Sequence, residues 1–442
     1  MKRWIVVLLI ALAVIVLVSP GIVGRLAEKN IEESINWADD ENPTVSVTTE
    51  RFDRGWFSSE GHYRIVFEGG ALREARELYT AETGNADLPA LLIDTRIDHG
   101  LLPISSLARD SGTLAPGLAS TRSTFELDDG SGEPVALPGV LHTNFGLSGA
   151  SESRFLLEPG SFDGNAWDAD WQGADLTFST DTSSGAISVA GNTQSFSISQ
   201  VGEKVVFGAM TVDVDQVRSE YGINVGRAEV EIDGLQVESM VSPFGIGTVF
   251  LNAENSIRNQ RMNAHSEFSI DAITIPNFGE MDLTTELTIE RFDAAPLSVI
   301  TEAFKEAQAS DNPDLALQML YPEIEGDMQE LIAAGGMIRF DQFDITLPQG
   351  TLETVVDLTF ATLDDDEAFS WPAVLLAMTA KIDMRMPAPL YEFIQMMNPE
   401  AGSLVAMGVL VRDGDDYVMD AEYAQGLLNV NGAPMPVPMP GM

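Results

Sequence analysis

The 442-residue chain carries 68 Asp and Glu against 24 Lys and Arg, a formal charge of −44 at neutral pH, with no Cys and only four His. A nucleic-acid surface needs clustered Lys and Arg to neutralise phosphates, so no nucleic-acid partner is expected, and the absence of Cys excludes disulfides, thiolate metal sites and a Cys nucleophile. Only five of the cations are Lys, at 2, 29, 204, 305 and 381; such an acidic, Lys-poor surface stays solvated where salt screens its self-repulsion, which predicts adaptation to a saline milieu.

Residues 1–25 read as a transmembrane anchor. Trp4 to Val18 is an unbroken apolar run that reaches twenty residues at Val23 if Ser19, Pro20 and Gly21 are included. Twenty helical residues span ~30 Å, the hydrocarbon thickness. A cleaved signal peptide is the competing reading, but Pro20 sits where a small-x-small cleavage site would fall. Lys2 and Arg3 place the amino terminus in the cytoplasm. The expected location is therefore the inner membrane, single-pass, with the bulk of the chain in the periplasm.

Residues 26–140 read as a hairpin followed by a loop-rich region. A short helical continuation over 26–36 ends before Pro43. Val45, Val47 and Thr49 then alternate with polar neighbours, Gly55 marks a turn, and a second alternating stretch covers 62–67, which together predict a hairpin. A helical piece is expected at Ala71–Ala81. Gly, Ser, Pro and Asp over 108–140 predict turns and a long loop between short strands.

Over 141–291 the two-residue period is continuous: Phe155 and Leu157, Leu176 and Phe178, Val212 and Val214, Val230 and Ile232, Phe268 and Ile270, Leu287 and Ile289. Short links of Gly, Asn, Asp or Ser separate these stretches, the pattern of an antiparallel meander whose apolar face must be covered. Residues 292–432 mix helices and strands. Amphipathic helices are expected at Pro296–Gln308, Pro313–Ala334 with a bend at Pro322, and Pro389–Met397. Strands are expected at Ile338–Leu347, Leu352–Phe360, Lys381–Met386 and Tyr417–Tyr423. Residues 433–442, rich in Pro and Met, read as a flexible tail. The fold class is thus mainly β (α+β): a transmembrane helix, an extended antiparallel sheet, and amphipathic helices packed on it in the final third.

Four motifs stand in order behind the anchor: Phe52-Asp-Arg-Gly-Trp-Phe-Ser-Ser59, Ile97-Asp-His-Gly100, Trp171-Gln-Gly173, and Tyr423-Ala-Gln-Gly426 with Asn429-Val-Asn-Gly432. In this arrangement the chain resembles the YdgA-like proteins of the Gram-negative envelope, a domain of unknown function. The resemblance implies an inner-membrane tether and a periplasmic soluble part, and members have been connected with self-association and surface motility. It implies no catalytic residue. The motif residues Arg54, Gly55, Trp56, Phe57, Ser58, His99, Gly100, Trp171, Gly173, Gly426, Asn431 and Gly432 read as structural: Gly55 supplies a backbone conformation closed to a Cβ, Trp56 and Phe57 cover the sheet beside the turn, and Asn431-Gly432 is a tight-turn dipeptide.

The chemistry-bearing patterns are sparse. His62, His99, His142 and His265 show no metal-ligand spacing, and there is neither a Gly-x-Ser-x-Gly elbow nor a Ser-x-x-Lys pair. Gly245-Ile-Gly247 lacks the third Gly of a dinucleotide fingerprint. Acidic clusters at 163–170, 364–367 and 413–416 do not fit the twelve-residue calcium loop and read as solvated charge. No catalytic, cofactor or metal site is therefore assigned. Thirteen of the 18 Met lie from Met319 onward; such a bias suits apolar ligands of variable shape, or gap-filling between helices and a curved sheet. The expectation is a non-enzymatic, membrane-tethered protein that binds a lipid or acyl chain in a β-groove. The alternatives are a structural or interaction module, as a homodimer, serving envelope or motility machinery, and a carboxylate-based hydrolase.

Overall fold

The structure, a computed structural model, describes residues 45–55, 58–67, 90–99, 119–128, 134–146, 148–163, 168–181, 183–200, 202–239, 244–275, 279–309, 313–362 and 371–435. The chain is mainly β. In order its strands are β1 (Val45–Arg54), β2 (Ser58–Phe67), β3 (Ala90–His99), β4 (Ala119–Asp128), β5 (Val135–Phe145), β6 (Ala150–Leu157) and β7 (Gly160–Asp163). Next come β8 (Asp168–Trp171), β9 (Ala174–Asp181), β10 (Ala186–Thr193), β11 (Phe196–Gln200), β12 (Glu203–Phe207), β13 (Met210–Arg218) and β14 (Asn224–Ile232). β15 (Leu235–Ser239), β16 (Phe244–Ile246), β17 (Val249–Arg258), β18 (Arg261–Ile275) and β19 (Gly279–Asp293) lead into helices α1 (Ala294–Ala309) and α2 (Pro313–Ala333). β20 (Gly336–Leu347), β21 (Gly350–Phe360), α3 (Trp371–Ala377), β22 (Met378–Pro387), α4 (Ala388–Met397) and α5 (Ala401–Ala406) follow. β23 (Val411–Asp413), β24 (Asp416–Ala424), β25 (Leu427–Val430) and β26 (Ala433–Met435) close the order.

The chain divides into two compact units. The first comprises the described parts of Met1–Gly160, with Gln172–Thr193 and Lys305–Leu317; the second comprises Ser161–Trp171, Gln194–Phe304 and Gln318–Met442.

In the first unit β1, β2, β3, β4, β5, β6, β9 and β10 form one antiparallel ladder in that order. The β1–β2 hairpin is as the alternation predicts. The long loop expected over 108–140 is corrected: Ala119–Asp128 and Val135–Phe145 are full strands paired with each other. The inward side of β4 carries Thr121 and Ser123, both buried, where apolar residues would have shown the period. Ser123 shares a hydrogen bond with Thr95 across the ladder, and Thr143 on β5 shares one with Ser153 on β6, each at 2.8 Å. Ile97 and Ala119 make the dry centre, packed by Phe52 and Phe145.

In the second unit the main ladder runs β13, β14, β17, β18, β19, β20, β21, β22, β24, β25, β26, every pair antiparallel. A side branch runs β8, β11, β12, β15, β16 and joins at β18. The branch and the main ladder meet along a crease. β12 passes into β13 at Gly208, β14 into β15 at Gly234, and β16 into β17 at Gly247, with backbones hydrogen-bonded across the crease from Gly208 N to Gly234 O and from Gly247 N to Asp271 O, both at 2.8 Å. Gly234 has φ +113°, and a Cβ there would lie 2.7 Å from the Gly247 carbonyl oxygen. Glycine is therefore required where the strands approach so closely.

The three expected helices are present as α1, α2 and α4, with Pro322 inside α2. α3 and α5 have seven and six residues, too short for a helical period to register in the sequence. Leu390 and Tyr391 of α4 are buried with Met386 and Leu410 against partly buried Met384, Tyr417 and Met419, and Tyr391 stacks on Tyr417 at a 4.1 Å centroid distance. The tail begins later than expected, because Ala433–Met435 pairs with Leu428–Val430.

Candidate functional site

The pleat sends alternate residues of the second unit's main ladder to opposite faces, and the register aligns them into lines that cross the strands. Met210, Ile232, Val249, Ile270, Leu283, Ile345 and Leu352 are consecutive cross-strand partners on seven strands. All seven are apolar. The adjacent line is Val212, Val230, Leu251, Phe268, Thr285, Phe343, Thr354, Met384 and Met419. At ~4.8 Å per strand the first line extends about 29 Å and the second about 38 Å. Every residue of both lines is half-buried and none is fully buried. Full burial is reached at Met386, where β22 meets α4, and at Phe292, where β19 runs into α1.

The opposite face of the same strands is charged. Asp215, Arg227, Glu254, His265, Thr288, Arg339, Asp357, Lys381 and Glu422 are successive partners, and ion pairs such as Arg227–Asp213 at 3.0 Å and Lys381–Asp383 at 2.8 Å hold it in water. A ladder so clearly two-sided presents one surface to solvent and one to something apolar.

On the charged face, His265, Glu267 and Glu286 bring three ligand-type atoms within 4.8 Å of one another. Thr288 donates to Asp341 Oδ2 at 2.9 Å, so its hydroxyl has a lone pair left for His265 Nδ1–H at 3.3 Å. That relay fixes the tautomer and leaves Nε2 beside Glu267 and Glu286, at 3.6 and 3.7 Å. A neutral imidazole in this pose is a cation ligand; a protonated one is a partner in a three-membered ion pair. Sequence spacing missed the group because Glu286 lies across the β18–β19 ladder.

The motif residues fall in three places. Arg54, Gly55 and Ser58 close the β1–β2 hairpin, and Ser58 pairs with Asp98, which brings the first two motifs side by side with His99 at the end of β3. Gly55 does not have positive φ. A Cβ is instead barred by the Ser58 carbonyl oxygen, to which Gly55 N–H donates at 2.9 Å. Trp171 ends β8 and pairs with Phe196; Gly173, with φ +110°, would place a Cβ 2.9 Å from the Leu157 oxygen. Gly426, Asn431 and Gly432 sit in the C-terminal turns, all at positive φ. Trp56, Phe57 and Gly100 lie outside the described residues, as do the anchor at 1–25 and the helical piece at Ala71–Ala81. Among the described residues no helix is long and apolar enough to cross a membrane.

The fold and its two-sided ladder define a predominantly β protein with a long antiparallel sheet surface. The chain belongs to a family of bacterial proteins of unknown function, DUF945, whose sequence profile matches residues 1–438. No curated protein and no solved structure matched the chain. The YdgA-like likeness rests on the motifs alone.

Proposed function

We propose that this protein is a membrane-tethered, non-enzymatic carrier or receptor for acyl chains, which lie along the apolar lines of the second unit's ladder. The observation that carries this reading is the unbroken apolar register from Met210 to Leu352, half-buried on every strand. Each methylene moved from water onto such a surface gains up to ~0.8 kcal/mol. A chain laid across the strands meets apolar side chains at every step, because the register repeats them. The Met side chains at 210, 384 and 419 add surfaces that adapt to bends. The apolar run at Trp4–Val18 and the motif likeness to envelope proteins support a tether in the inner membrane with this unit in the periplasm.

The experiment feeds cells a photoreactive fatty acid, crosslinks in intact membranes and maps adducts on the full-length protein by mass spectrometry. Adducts are expected in peptides containing Leu251, Phe268 and Ile345, and are expected to disappear in Phe268→Asp. Adducts confined to the first 25 residues would show acyl contact through the anchor alone and overturn the proposal.

A further inference from the structure

The first unit carries a feature that runs against the charge of the whole chain. On the face of its ladder opposite Thr121 and Ser123, four consecutive strands contribute Arg96, Arg122, His142 and Arg154 in a single register line. Like charges placed directly opposite on neighbouring strands destabilise a sheet. In a chain with 68 carboxylates and 24 cations, composition alone would surround each Arg with acids. The two ends of the line follow that rule: Arg96 lies 3.7 Å from Asp98 and 3.9 Å from Glu60, and Arg154 grips Asp175 with Nε and Nη2 at 2.8 and 2.6 Å. The middle does not. Among the described residues Arg122 is exposed and has no carboxylate within ion-pair distance, and its partners across the ladder are Arg96 and His142. The Nδ1 of His142 is buried without a hydrogen-bond partner.

We infer that Arg96, Arg122, His142 and Arg154 form an oxyanion site that takes a phosphoryl group, with Arg122 as its principal donor. A guanidinium fork matches a tetrahedral oxyanion with two parallel N–H donors, and an anion in the line removes the repulsion between neighbouring cations. The phosphoryl group is either free in solution or part of a lipid headgroup; both present the same oxygens.

His142 reports occupancy. Burial, then the charges of Arg122 and Arg154, lower its pKa below the ordinary imidazole value. The charged groups facing it are Arg122 on β4 and, on β6, Arg154 together with Glu152 one step along the strand. An anion bound between the two Arg offsets their charge, so His142 must titrate at higher pH when the site is filled, and binding must tighten as pH falls.

The test follows the four imidazole resonances of the full-length protein in a neutral detergent while inorganic phosphate is added, with NaCl at matched ionic strength as control. A second arm replaces phosphate with mixed micelles containing phosphatidylglycerol. A saturable upward move of the His142 midpoint with phosphate, weakened about tenfold or more in Arg122→Gln, supports a free-phosphate site. The same response to phosphatidylglycerol alone supports a headgroup site. No response in either arm, or an equal response to NaCl, overturns the inference. Arg122 is exposed and its loss relieves the repulsion along the line, so Arg122→Gln is expected to melt at or above the wild-type temperature, and the phosphate titration of the wild type decides the matter without it.

Discussion

Asn431 holds Asp420 from both sides of the peptide: its backbone N–H donates to the Asp420 carbonyl at 2.7 Å, and its side-chain oxygen accepts from the Asp420 N–H at 2.9 Å. The same side chain donates to the carbonyls of Gly408 and Val409 at 2.9 and 3.0 Å. One residue thus fastens the β25–β26 turn to β24 and to the segment that follows α5. It does so at φ +50°, a conformation that Asn tolerates better than most residues. Asn431→Ala loses three side-chain hydrogen bonds and retains the strain, and is expected to cost about 2–4 kcal/mol. Asn431→Gly loses the same bonds without the strain and should cost less. Urea denaturation of the pair checks the order; equal midpoints would deny the backbone contribution.

The crease makes a second prediction through Gly234. Its positive φ and the 2.7 Å approach of a Cβ to the Gly247 oxygen leave no room for adjustment, because the obstacle is backbone. Gly234→Ala is expected to destabilise by about 3 kcal/mol or more. Gly432→Ala is the control, since φ is +79° there but nothing lies within 4 Å of the added carbon; it should cost only about 1 kcal/mol. Thermal melts of the two variants separate collision from conformational strain.

The lowered pKa of His142 sets a pH dependence. Its folded value lies below its unfolded value, so the unfolded chain binds the proton more readily. Stability from this group is complete above the unfolded pKa near 6.5 and declines as pH falls from there toward the folded value. His142→Gln, which cannot be protonated, should flatten that part of the profile relative to wild type. Carboxylates contribute equally to both proteins, so the difference between the two curves isolates the imidazole. A wild type that gained stability on the variant as pH fell would contradict the sign.

A formal charge of −44 repels itself over distances that salt shortens to ~10 Å at 0.1 M and ~3 Å at 1 M. The melting temperature is therefore expected to rise with NaCl through the molar range. A flat profile would remove the saline adaptation from the account.

Much of the second unit is legible along the chain because its polar and apolar faces alternate strictly: Val212 and Val214, or Leu287 and Ile289, declare their strands unaided. The first unit hides β4 because Thr121 and Ser123 fill inward positions with hydroxyl side chains, that of Ser123 hydrogen-bonded to Thr95 on the next strand, and an apolar period never forms. The Asn-Gly turn at 431–432 announces itself, whereas the reach of Asn431 to Gly408 and Val409 depends on α5, which is only six residues long. The line from Arg96 to Arg154 joins residues scattered over four strands, and the Glu267–Glu286 pairing arises from one register between β18 and β19. Such neighbours exist only after the strands have paired, so no window of sequence contains them.

Each strand of the second unit's main ladder from β13 to β21 lays one side chain into the apolar line that begins at Met210, so the reach of that surface is counted in strands. Adding one hairpin in register would extend it by about 10 Å and leave every existing pairing but one intact, and deleting one would shorten it by the same step. The length of the apolar surface can thus change by whole duplicated hairpins, while the turn chemistry and helix α4 stay as they are.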